Sequence, residues 1–242
     1  MTTFQVHDTV GAIVGARPYL SRLFEEAKLD YCCGGKKTLD EACRKQGIDP
    51  QGFLAQLETA IAREPESDVN LADLSLTELA DHIEQTHHVY LRSELPRLER
   101  MTAKVAAVHG DKEPRLHQIK DIFLALSQEL GTHLMKEEQI LFPMIRQLES
   151  SDTLPMFHCG SLANPVRQME FEHDEAGIAL GQLRQLTDDF TEPDWACNTY
   201  RAMLDALATF EQDMHQHIHK ENNVLFPRAI EMQQQKARQF SL

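Results

Sequence analysis

Two segments of the sequence carry histidine and glutamate at a spacing suited to metal binding. His133-Leu-Met-Lys-Glu137-Glu-Gln-Ile-Leu-Phe-Pro143 is matched 84 residues on by His217-Ile-His-Lys-Glu221-Asn-Asn-Val-Leu-Phe-Pro227. A lone histidine precedes each copy, His88 standing 45 residues before His133 and His173 standing 44 before His217. Residues four apart on a helix share one face, so each His-x-x-x-Glu pair presents an imidazole and a carboxylate to the same region. A carboxylate turned into an apolar interior is costly unless paired, neutralised or coordinated, and two in equivalent places repel each other. A cation removes both penalties. Four imidazoles and two carboxylates exceed the needs of one catalytic zinc and suit two metals, each with two histidines, bridged by Glu137 and Glu221. The donors accept Fe, Mn or Zn, and two histidines plus carboxylate with open positions favour non-haem iron as first choice.

One buried His-x-x-x-Glu is as readily a satisfied core pair as a ligand pair. Its repetition, each time behind a matched histidine, argues for a dinuclear site. His87 continues the stripe of Leu76, Leu79, Ile83 and Tyr90, whereas His88 runs on into Leu91, Leu95 and Leu98, so periodicity leaves the two open. The matched spacing favours His88. His82, His109, His117, His158, His215 and His219 lack repeat partners and are expected to be solvated, with Glu129 and Glu172 as outer supports of the site.

A second chemistry resides in Cys32-Cys33-Gly34-Gly35-Lys36-Lys37. Two thiols in a glycine turn, beside two ammonium groups and ahead of a helix start, are expected to have lowered pKa values. Adjacent cysteines make a strained disulfide, so the pair suits reversible redox, metal transfer or thiolate ligation better than a structural bridge. The bland reading is a pair of small buried hydrophobes, which is the default for Cys43, Cys159 and Cys197.

Helices are the elements that position these groups. Apolar residues recur at three and four in patterns near 75–108, 114–148, 164–188 and 194–233, and little reads as strand. His133 and Glu137 lie on the stripe of Leu116, Ile119, Phe123, Leu126, Leu130, Ile140 and Met144. His217 and Glu221 lie on that of Tyr200, Met203, Leu207, Phe210, Met214 and Val224, and His173 interrupts Val166, Met169, Ala176, Leu180 and Leu183. The Leu-Phe-Pro segments should pack below the site and bend or end their helices at proline. The expected fold is all-α: an antiparallel four-helix bundle over 72–235, preceded by a small helical cysteine-containing domain over 1–65. In the latter, Thr38 and Glu41 have capping-box spacing, and Glu64-Pro65-Glu66-Ser67-Asp68 suits a linker.

The 242 residues, 42% apolar, can bury a sizeable core. A formal charge of −14, from 38 acidic and 24 basic residues, disfavours nucleic acid and anionic membranes as partners. The first residues lack a secretory signal pattern, and no apolar run nears the roughly 20 residues that span a bilayer, so a cytoplasmic protein is expected. Five cysteines, an odd number, do not resemble a secreted disulfide framework.

Asp30-Tyr-Cys-Cys-Gly-Gly-Lys36, followed twice by His-x-x-x-Glu and Leu-Phe-Pro, resembles the repair-of-iron-centres family, hemerythrin-like di-iron proteins of the ScdA type, over about 5–230. The resemblance implies a hemerythrin-like bundle with two irons held by His88, His133, Glu137, His173, His217 and Glu221, with carboxylate and oxo bridges. It implies cytoplasmic repair of iron–sulfur clusters damaged by nitric oxide or oxidants, often by a homodimer, through iron supply rather than turnover. The 151–163 connection, with His158-Cys159, and the His87-His88 doublet depart from the pattern. Alternative readings are a di-iron nitric oxide or peroxide reductase, and an oxygen or nitric oxide sensor.

Overall fold

The computed structural model describes residues 4–63, 71 and 73–239, so the expected linker at 64–68 lies outside the described residues. Every regular element among them is helical, with no β-strand; Thr9 and Thr38 form an isolated antiparallel bridge. No helix among them is long and apolar enough to cross a membrane. The chain divides into two compact units, one of 1–81, 145–158 and 215–242, the other of 82–144 and 159–214.

In the first unit, α1 (Val10–Ala16), α2 (Ser21–Glu26), α3 (Leu39–Lys45) and α4 (Pro50–Arg63) enclose a core of Val10, Ile13, Leu20, Phe24, Leu39 and Leu57. Phe24 meets Tyr31 and Phe53 edge-on, with ring centroids 6.1 and 5.3 Å apart. Helix α3 starts at the expected capping box: Glu41 N–H donates to the Thr38 hydroxyl at 3.2 Å, and Thr38 N–H to the Glu41 carboxylate at 2.9 Å. Helix α5 (Leu76–Ile83) is capped from a distance, its Leu76 and Thr77 N–H groups each donating to Glu149 at 2.8 Å. An acidic side chain there satisfies two orphan donors and complements the helix dipole.

In the second unit, α6 (Val89–His109), α7 (Arg115–Lys136) and α9 (Ala163–Leu186) pack with residues 198–214 of α10 (Asn198–Lys220). The expected stripes of α7 and α9 are buried. Phe123 meets Phe210 at 5.5 Å, and Arg184 forks onto Glu211.

Three five-residue π turns interrupt the α-helical runs. Glu84–His88 joins α5 to α6, Glu137–Leu141 joins α7 to α8 (Phe142–Ser150), and Glu221–Leu225 joins α10 to α11 (Phe226–Gln239). The two halves of the repeat thus share backbone geometry as well as residues. Pro143 and Pro227 do not end their helices, contrary to one of the expectations, since α8 and α11 continue beyond them. The physical reason is the altered ladder just before each proline, where Phe142 and Phe226 N–H groups reach back to Glu137 and Glu221. Proline's missing donor therefore falls where the hydrogen-bond register has already changed. The widened turn also shifts the buried face: Ile140, expected inside, is 45% exposed and Leu141 is 1% exposed.

Within the first unit, the N-terminal helices meet the chain around α11 through a glycine notch. Asn223 Nδ2 donates to the carbonyls of Cys32 at 2.9 Å and Tyr31 at 3.3 Å. A Cβ on Gly35 would stand 2.2 Å from Asn223 Oδ1, and one on Gly11 2.6 Å. Neither position accepts a side chain without displacing Asn223. Gly35→Ala should therefore lower unfolding free energy by about 1–3 kcal/mol, the usual cost of overpacking. Adding Asn223→Ala should recover part of the loss, a non-additivity that urea titration of the four proteins measures.

Candidate metal centre

Four of the predicted ligands lie together in the second unit. His88, His133, Glu137 and His173 are 0–3% exposed. His88 Nε2 lies 3.5 Å from Glu137 Oε2, His133 Nε2 lies 3.3 Å from Glu137 Oε1, and the Nε2 atoms of His133 and His173 are 3.0 Å apart. In the first unit, His217 Nε2 lies 3.0 Å from Glu221 Oε1, with both side chains buried. All six belong to buried His/Glu groups spaced to hold a metal ion.

The outward-facing ring nitrogens settle the tautomers. His88 Nδ1 is 2.8 Å from Glu138 Oε1, and His133 Nδ1 is 2.8 Å from Glu172 Oε2. An ionised carboxylate only accepts, so each Nδ1 carries the proton and each Nε2 turns its lone pair toward Glu137. Glu137 is 0% exposed, and neither of its oxygens receives a hydrogen bond. Imidazolium pairing would satisfy that carboxylate, yet no donor reaches it within hydrogen-bond geometry. Acceptors facing acceptors in a dry interior repel, and a cation among them turns the repulsion into coordination. Metal–nitrogen bonds of about 2.1 Å set neighbouring ligands about 3.0–3.4 Å apart for octahedral to tetrahedral angles, close to the observed spacings. The residues fit a metal ion.

The supporting carboxylates are themselves charged. Hydrogen bonds, first from His133 and then from Lys136 and Gln168, hold Glu172 down to about 2 against opposing burial. Burial raises Glu138, but hydrogen bonds from Arg92 and His88 outweigh it and leave the carboxyl below its ordinary value. Carboxylate–imidazole pairs of this kind orient ligating rings and raise their basicity. Glu172 is as expected, whereas Glu129 is exposed and only lines a cavity of about 460 Å³ beside His133, Glu172, His173, Lys136 and Phe171. Glu138 was not foreseen, and the acidic doublet Glu137-Glu138 is the sequence feature that offered a hint.

His87, the rival of His88, is also buried, but its Nδ1 lies 2.8 Å from Asp213 Oδ1. Phe142 stacks on the His88 ring at 5.7 Å, so this Leu-Phe-Pro segment packs against the site as expected. Of the histidines expected to be solvated, His117 and His158 are exposed, while His82, His109 and His215 are half-buried. His219 departs outright, being 2% exposed, with Nδ1 3.3 Å from the Tyr31 carbonyl. Burial lowers its pKa to about 4 and so keeps the ring neutral. Cys43 is a core residue; exposed Cys197 lies 3.2 Å from His109 Nε2, a contact 88 residues apart in sequence.

Cys32 also differs from expectation. Cys32 is 5% exposed, and its thiol is pushed well above the ordinary value by its hydrogen bond to Cys33, by burial, and by the negative charge of Cys33 and Asp30. The hydrogen bond to Cys33 and burial outweigh the lysines and the helix start.

A fold built from helices, with buried histidine and glutamate groups spaced for cations, defines a metal-binding helical protein. The chain belongs to the hemerythrin family, whose HHE cation-binding domain matches residues 79–229. Residues 6–61 match ScdA_N, a domain of unknown function (DUF542). The chain is 40% identical over 224 residues to the iron–sulfur cluster repair protein YtfE of Yersinia pseudotuberculosis serotype O:1b, covering 93% of this chain and 97% of that protein. It is 39% identical, with the same coverage, to the protein of that name from Yersinia pestis strain Pestoides F.

Removing an outer carboxylate tests the assigned support. Glu138→Gln and Glu172→Gln should each weaken iron binding by about 10–100-fold, read by competition against a chromogenic chelator, with helicity unchanged by circular dichroism.

Proposed function

We propose that this protein repairs iron–sulfur clusters damaged by nitric oxide or oxidants, by supplying iron from a di-iron centre. His88, His133, Glu137, His173, His217 and Glu221 would hold the two irons, with Glu137 and Glu221 as the carboxylates shared between them. The observation that carries this reading is Glu137, a fully buried carboxylate without a hydrogen-bond donor and faced by two imidazole lone pairs. The names of the relatives supply the client class, damaged iron–sulfur proteins. When bound, the di-iron centre supplies releasable iron and open coordination positions. The protein's part is to orient the imidazoles through Glu138 and Glu172 and to keep the bridging carboxylates dry. Cys32 and Cys33 serve transfer or redox control. The proposal extends to a cytoplasmic homodimer, the state the resemblance implies, which fractionation and sedimentation equilibrium test.

A second reading is a di-iron reductase of nitric oxide or peroxide, or a sensor of nitric oxide or oxygen. The cavity beside His133 and His173 favours it, because it admits a small molecule to that side of the ligand set. Reconstituted wild-type protein should contain about two irons per chain, by ligand count, and Glu137→Ala should lose or grossly perturb them. Iron-loaded protein should reactivate a nitric-oxide-damaged iron–sulfur enzyme as its own iron content falls. Failure to reactivate refutes repair by donation, and steady turnover with a reductant establishes the reductase instead.

A further inference from the structure

The Cys-Cys-Gly-Gly turn carries a donor set apart from the histidines and glutamates. Asp30, Cys32 and Cys33 each place a ligand atom within 4.8 Å of the others. Cys32 Sγ lies 3.8 Å from Cys33 Sγ and 3.4 Å from Asp30 Oδ1. A tetrahedral cation with bonds of about 2.3 Å to sulfur and about 2.0 Å to oxygen requires edges of about 3.8 Å between sulfurs and about 3.5 Å from sulfur to oxygen. Both observed edges match. We infer that Asp30, Cys32 and Cys33 form a second metal site, taking a thiophilic divalent cation, zinc or ferrous iron, through two thiolates and one carboxylate oxygen.

The surroundings hold this arrangement in place. Asp30 Oδ1 accepts the Cys32 N–H at 3.2 Å, which fixes the carboxylate over the turn. Gly34 makes room for it, since a Cβ there would stand 2.7 Å from Asp30 Oδ2. Asn223 clamps the Cys32 carbonyl from the opposite chain segment, with Gly35 clearing its path. The two glycines of the motif therefore have separate tasks, one for the carboxylate and one for the clamp. A thiol pair exchanging hydrogen bonds accounts for the same distances, and the titration below separates it from a metal site. Two thiolates and a carboxylate repel one another until a cation joins them, and metal binding then releases the thiol protons. Three protein ligands leave a fourth position, the arrangement of exchangeable rather than purely structural sites. Asp30 is exposed and Cys33 half-buried, so that position is open to water or to a client's ligand. The site deepens the transfer role given to the cysteines and rests on that reading only for its purpose, not for its existence.

Cobalt(II) is the probe. Full-length protein, its histidine–glutamate sites first loaded with iron, is titrated anaerobically with cobalt chloride in a thiol-free phosphine reductant. Wild type should bind one equivalent more than Cys32→Ser/Cys33→Ser and should show a near-ultraviolet sulfur-to-cobalt charge-transfer band that the double variant lacks. The variant's helicity and iron content should be unchanged. Asp30→Asn, which keeps both thiols and an acceptor for the Cys32 N–H, should weaken cobalt binding by at least the ~10-fold that loss of an outer partner costs. Competition with zinc sulfate and with anaerobic ferrous sulfate identifies the natural cation. No band in wild type, a band surviving in the double variant, unchanged affinity in Asp30→Asn, or displacement by neither ion overturns the assignment. Repair activity is not read here: cobalt bound at sulfur in a protein that cannot reactivate clusters refutes the repair reading alone, and absence of the band with repair intact refutes this site alone.

Discussion

The conflict between a buried carboxylate and the imidazole lone pairs around it governs this protein. Glu137 has lost water on every side and gained no donor in return. A charged carboxylate so placed carries a large desolvation cost, and the packing of Leu130, Leu134 and Leu141 keeps water from relieving it. Burial and charge are reconciled only by a cation, so the energetics that destabilise the metal-free chain are those that give it affinity for metal. Lys136 and Arg92 then anchor the outer carboxylates, whose hold on the rings fixes the tautomer.

Local geometry adapts the helices to that task. The turns opening at Glu137 and Glu221 repeat in both halves of the internal duplication, and a third ends at His88. Widened turns cost regular hydrogen bonding and occur mostly where function compensates for it. Here they bring a ligand to the inner face while letting Leu-Phe-Pro follow without ending the helix.

Much of this was legible in the sequence because duplication and burial write the same message twice. His133, Glu137, His217 and Glu221 share spacing, flanking residues and apolar stripes. Matched spacing favoured His88, but periodicity could not separate it from His87, and the reason is physical: the turn at Glu84–His88 shifts the helix by one residue, so each histidine continues one of two stripes and both are buried. The same shift hid the exchange of Ile140 for Leu141. Glu138 and Asn223 escaped notice because their partners stand 50 and about 190 residues away, and spacing rules reach only a few turns. The lysines beside Cys32 suggested an acidic thiol, but its hydrogen bond to Cys33 and its burial decide otherwise.

The π turns also constrain how such a chain can change in length. Each behaves as one surplus residue lodged in a helix, and deleting a residue from 138–141 would restore regular winding and keep the phase beyond it, at the expense of the widened turn that opens at Glu137. A deletion within the regular winding of α7 would instead rotate everything downstream by about 100°, one residue's share of a turn, carrying Phe142 away from the His88 ring. Connections such as 187–197 have no such phase to keep. Insertions and deletions should therefore collect there, while the helical runs on either side of the turns at His88, Glu137 and Glu221 retain their length.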